Sequence, residues 1–130
     1  MTIREAISRL DDQKPNRFVN ADKIAWLSRL DFRAYDDIMR VHADPPAPFR
    51  GYGPSTPLDT PLLIGEPYDE IYPMYMMAEI DFLDGEYTRY NNECDRFNRT
   101  FADWADYYHD THLPQSDLCV QLFGGVRRWR

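Results

Sequence analysis

His109 and His112 stand three residues apart with Asp106 and Asp110 beside them, donor types that suit a divalent metal when one helix face presents both rings. They fall at the end of a helical pattern, just before Leu113-Pro114, where an imidazole also complements the negative end of a helix dipole. They are read as dipole partners, and no metal is expected. Two carboxylate pairs, Asp36/Asp37 and Asp69/Glu70, are adjacent in sequence, so on a helix they point to different sides and cannot share one proton. Ser8, Ser28 and Ser55 have no histidine at an arguable spacing. The six glycines are scattered without forming a phosphate cradle. No catalytic residue is nominated, no cofactor is expected, and the chain is not expected to be an enzyme.

The strongest pattern is structural. Tyr87, Tyr90, Cys94, Phe97, Phe101, Trp104 and Tyr108 follow one another at alternating spacings of three and four, which draws one apolar stripe along a single helix from about Glu86 to His109, some 36 Å long. The residues between are Asn, Asp, Glu and Arg, so one face must lie on other helices while the rest meets water or another subunit. Arg89 with Glu93 and Asp95 with Arg99 are spaced to pair along that outer face. Tyr90-Asn91-Asn92 is unusually polar for a helix interior. Its amides suit either cross-helix hydrogen bonds or a surface position.

Three earlier helices must position this one. Thr2 and Glu5 form a capping box, and Ile3, Ala6, Ile7 and Leu10 give a short apolar face that ends at Lys14-Pro15. A second helix is expected from Asn20 as N-cap to about His42, with Ile24, Leu27, Leu30, Ala34, Ile38 and Val41 inward and Asp31 interrupting that face. A third is expected from Pro67 to about Leu83, with Tyr68-Asp69-Glu70 in its first turn, Ile71, Tyr72, Tyr75, Met76, Ile80 and Leu83 apolar, and Pro73 inside it. Asp84-Gly85 then stops and restarts the chain. Between the second and third helices, residues 44–67 hold seven of the ten prolines and three of the six glycines, which no helix survives. A connection this long reads as a functional loop. It is expected to project either as a hairpin, with Phe49–Tyr52 and Leu62–Ile64 as its two short strands, or as an extended arm that contacts another chain, the other reading being a flexible insertion. Residues 115–130 form a tail carrying Leu118, Val120, Leu122, Phe123, Val126 and Trp129, apolar enough to dock on its own core or on a neighbour.

Composition bounds the class. With 130 residues and 43% hydrophobic content there is room for one core. No run of about 18 apolar residues occurs and the first residues are charged, so a protein made and kept in the cytoplasm, away from membranes, is expected. Cys94 and Cys119 lack any ligand spacing and read as free thiols. The net charge of −7 is uneven: residues 1–58 are nearly neutral, 59–110 strongly acidic, and the last twenty slightly basic. That excludes a basic duplex-gripping surface and suits an acidic body with a basic end, which can dock through complementary potentials.

Residues 66–114, from Glu66-Pro67-Tyr68-Asp69-Glu70 through Gly85-Glu86-Tyr87 and Arg89-Tyr90-Asn91-Asn92 to Asp110-Thr111-His112-Leu113-Pro114, resemble small head–tail connector proteins of tailed bacteriophages and prophages. Thr2-Ile3-Arg4-Glu5-Ala6, Lys14-Pro15-Asn16 and Ala25-Trp26-Leu27-Ser28 are similar too. The resemblance implies an α-helical adaptor of the virion, built into the head–tail interface after synthesis in the host cytoplasm. It implies a twelvefold ring of copies beneath the portal protein, extending a channel through which DNA passes without sequence-specific binding, and offering a surface to the next connector or stopper protein. It implies no catalytic residue and no cofactor. Relatives carry an acidic loop where this chain has Gly53-Pro54-Ser55-Thr56-Pro57, and the tail after Pro114 departs from the family pattern. The expectation is an all-α bundle of about four helices, residues 1–114, with a Pro-rich loop at 44–67 and a docking tail at 115–130. Phe49, Tyr52, Leu62, Leu63, Phe123, Arg127, Arg128, Trp129 and Arg130 are the candidate assembly contacts. The other reading is a small non-enzymatic regulatory or binding protein of a prophage, acting as monomer or dimer.

Overall fold

The computed structural model describes residues 1–114 and is an all-α bundle of four helices: α1 (Ile3–Gln13), α2 (Asn20–Asp37), α3 (Ile71–Leu83) and α4 (Tyr87–Thr111). A 3-10 turn, Met39–Val41, follows α2. The expected second helix is therefore shorter than its apolar pattern, and its N-cap is Val19, with Asn20 already inside the helix.

The start of α1 shows how the long connection is held. A helix leaves its first N–H groups without internal partners. Here the Ile3 and Arg4 amides donate to the Thr60 and Leu58 carbonyls at 3.1 and 2.9 Å, while Thr2 Oγ1 accepts from the Glu5 amide at 3.2 Å and the Glu5 carboxylate accepts from the Thr2 amide at 2.9 Å. The connection thus completes the cap of a helix distant in sequence. Leu62 N donates to Met1 O at 2.9 Å, and Thr2 and Pro61 form an isolated antiparallel bridge.

This corrects the expectation of a projecting arm or hairpin. No strand occurs between α2 and α3, Leu62 and Ile64 are buried, and Phe49, Tyr52, Leu58 and Leu63 pack against the core. The prolines exclude a helix without excluding burial, because the segment's amides and carbonyls find partners on α1, on α2 and in its own turns. Gly51 adopts φ +91° where the connection passes α2, and a Cβ there would stand 3.0 Å from the Phe32 ring.

α3 is the central element, with Ile71, Tyr72, Met76 and Ile80 fully enclosed. It starts at Ile71, later than its sequence suggests. Pro73 therefore falls in the first turn, where its missing N–H has no helical partner to lose. Asp84 to Glu86, with Gly85 at φ +76°, turns the chain into α4, which packs antiparallel on α3 as a helical hairpin. The Lys14–Asp81 ion pair at 2.9 Å, the Arg17–Asp84 pair at 3.0 Å and the Arg9–Glu70 pair tie the first helix and its exit to α3.

Candidate functional site

Asp31, the acid that interrupts the apolar face of α2, is completely buried and gathers three segments. Its Oδ1 accepts from the Tyr72 hydroxyl of α3 at 2.6 Å. Its Oδ2 accepts from the Tyr52 hydroxyl at 2.5 Å and the Leu63 amide at 3.1 Å, both in the connection. Tyr72 Oη accepts in turn from the Ile64 amide at 2.7 Å, and one helical turn back on α2 Ser28 Oγ accepts from the Tyr52 amide at 3.0 Å. Burial raises the Asp31 pKa, against the lowering effect of its donors. Burial and the adjacent carboxylate push both tyrosines upward, so the phenols remain donors at any ordinary pH. With its oxygens engaged and no path to solvent, this carboxylate is a clasp rather than a proton-transfer group.

A second cluster closes the other end. The chain has three histidines, and all of them meet where α4 ends. His42 Nδ1 lies 2.8 Å from the Ile38 carbonyl and must donate to it, so in the neutral ring Nε2 accepts, and His109 Nδ1, at 3.1 Å, supplies the proton. His112 stacks flat on Tyr108 with ring centres 3.7 Å apart. The Ala43 amide donates to Leu113 O at 3.0 Å, and His42 pairs with Pro114 in an isolated bridge. Burial lowers the His42 pKa, opposed by its bond to Ile38 O and assisted by the neighbouring His109 and His112. Among the described residues no group of three or more His, Cys, Asp or Glu is placed to hold a metal ion. The sequence paired His109 with His112 but missed His42, which is remote in sequence and reaches them only because the chain turns after α2.

The aromatic stripe divides. Phe97, Phe101, Trp104 and Tyr108 are buried, Tyr90 and Cys94 are half-buried, and Tyr87 is 60% exposed, so the stripe is not core along its whole length. At the hairpin tip α3 meets the first turn of α4 through Phe82, whose ring lies 6.0 Å from that of Tyr87 and 5.2 Å from that of Tyr90 and is itself half exposed. Arg33 of α2 spans the seam to α4, lying over Phe101 at 4.7 Å and Phe97 at 5.6 Å. Beyond it opens a groove of about 370 Å³ lined by Arg33, Tyr75, Glu79, Tyr90, Cys94 and Phe97. On the outer surface Glu93 pairs with Arg96 at 2.9 Å, a partner other than the expected Arg89, and Asn91 and Asn92 are exposed.

Large apolar side chains therefore remain open at both ends of α4. Phe82 (50%), Leu83 (52%) and Tyr87 lie at the hairpin tip, and Tyr107 and Leu113 (78%) lie at the far end. Of the expected assembly contacts, Leu62 is buried, and Phe49, Tyr52 and Leu63 face the core, with Tyr52 bound to Asp31. Phe49, Tyr52 and Leu63 keep part of their surface exposed. Phe123, Arg127, Arg128, Trp129 and Arg130 lie outside the described residues, as does Cys119. No family of known proteins, no curated protein and no solved structure matches this chain.

Proposed function

We propose that this chain is a non-catalytic assembly subunit, a head–tail connector that joins copies of itself and the portal protein of a phage capsid into a ring. The observation that carries the reading is the pair of exposed apolar ends on α4, with Tyr87 and Tyr107 about 30 Å apart at 1.5 Å per residue. A closed ring requires two different complementary patches on each subunit, and a rigid helix with one at either end meets that requirement. The sequence resemblance over residues 66–114 and in the first thirty residues supports the same class. The Asp31 clasp serves it by fixing the long connection, so that subunits meet as preformed surfaces and ordering entropy is not lost at assembly.

The test is binding to immobilised portal protein by the parent chain and by a Phe82→Ser/Tyr87→Ser variant with an unchanged thermal melt. The parent is expected to bind, and the variant to bind at least about tenfold more weakly, since two exposed aromatic contacts of an interface are removed. A parent chain that does not bind portal overturns the connector reading and favours a prophage binding protein acting as monomer or dimer.

A further inference from the structure

Phe82 and Leu83 at the end of α3 and Tyr87 at the start of α4 form an open patch at the hairpin tip, exposed by 50%, 52% and 60%. The Phe82 ring ties the patch together, in contact with Tyr87 and, one turn on, with Tyr90. The charges around it carry both signs. Asp84 pairs with Arg17 at 3.0 Å. Glu86 and Arg89 are exposed three residues apart, and among the described residues neither has an ion pair, since Glu93 is held by Arg96. Two acids and two bases thus flank the tip, which makes it locally neutral in a chain of net charge −7. The far end of α4 differs. Tyr107 and Leu113 lie in a stretch, residues 101–114, that holds Asp103, Asp106 and Asp110 and no Lys or Arg.

Those charges decide what can cover the tip. Copies of one acidic chain repel each other, and least where the surface is neutral. A contact about a two-fold axis further requires one patch that complements itself. The tip has that property. Its centre is apolar, and beside it one unpaired acid and one unpaired base stand a helical turn apart, so laying the first turn of α4 antiparallel on its copy sets each acid against the other chain's base. The far end, with acids alone, lacks it. We infer that the tip is covered in solution by the tip of a second copy of this chain, with Phe82, Leu83 and Tyr87 of the two in mutual contact and Glu86 of each opposite Arg89 of the other. Each contact is then made twice. Such a pair closes on itself and adds no third copy, so it holds free chains two by two with the tip covered and the far end of α4 open. The inference goes beyond the connector reading and does not rest on it: a ring needs the tip to meet a different surface, which the pair withholds until it dissociates.

The experiment is equilibrium sedimentation of the full chain under reducing conditions, from below micromolar to well above it. It compares the parent, Glu86→Arg, Arg89→Glu and an equal mixture of these two variants. The parent is expected to pass from the mass of one copy to that of two and no further. Each variant alone sets like charges against each other in both halves of the contact, and its dissociation constant is expected to rise at least about tenfold. In the mixture the Glu86→Arg chain offers two bases to the two acids of the Arg89→Glu chain, so pairing at the parent's strength is expected to return. That recovery also shows both variants to be folded. A Phe82→Ser chain is expected to keep the mass of one copy at concentrations where the parent is paired. A parent at the mass of one copy throughout, growth beyond two copies, or a mixture that pairs no better than its components overturns the proposal. No portal protein enters the experiment, so its failure leaves the connector reading to its own test.

Discussion

Gly51→Ala probes the tightest approach between the connection and α2. The new methyl group meets the Phe32 ring at 3.0 Å and Ser28 Oγ at 3.2 Å in a backbone conformation that side chains rarely adopt, so a loss of about 1–3 kcal/mol in denaturant unfolding is expected. Asp31→Ala leaves two tyrosine hydroxyls and the Leu63 amide facing an apolar void, and a loss of about 3 kcal/mol or more is expected. Tyr52→Phe removes one charge-assisted bond and keeps the rest, for about 1.5–3 kcal/mol. The histidines set a pH dependence. Because the His42 pKa is lowered in the fold, the unfolded chain binds the proton more readily. The contribution of His42 is full above its unfolded value and is lost as pH falls through the lowered one. The groups facing His42 are His109, His112 and the Tyr108 ring, and protonating His42 puts an N–H against the His109 donor. A His42→Asn chain, whose amide can still donate to Ile38 O, is expected to lose less stability than the parent between neutral and mildly acid pH in paired melts. An identical decline in both would contradict this role.

Elements with a clean pattern were legible, and those set by distant partners were not. The Thr2/Glu5 box and the 3.6-residue periodicity placed α1 and α4 within about two residues, because their signals lie inside the element. The second helix was drawn too long because Ile38 and Val41 continue the apolar spacing, although the chain there is already tightening into a 3-10 turn that delivers His42 to α4. The proline-rich connection was misread as projecting because composition reports which backbone geometries are excluded and says nothing of which distant amides need acceptors. Asp31 is the visible clue: a carboxylate on an inward face must be met by donors, and this connection is a long segment rich in free backbone amides. Thr2→Ala tests the cap at this scale, with an expected loss of about 1 kcal/mol in thermal or urea unfolding. The Leu58 and Thr60 carbonyls still serve Ile3 and Arg4 in that variant.

Across the whole molecule, interior order and exterior incompleteness divide the chain. The four helices enclose one core, and two polar clasps lock the connection and the end of α4 to it, yet aromatic surface stays open at both ends of α4. A rigid body with open ends is suited to joining other bodies. The most direct measurement of the proposed function is light scattering after size exclusion of the chain mixed with the phage portal protein proposed as its partner. The account predicts a single species whose mass is the portal plus a whole ring of copies, and the Phe82→Ser/Tyr87→Ser chain should fail to form it. A portal peak of unchanged mass beside a separate small-subunit peak, at concentrations well above micromolar, would contradict the account.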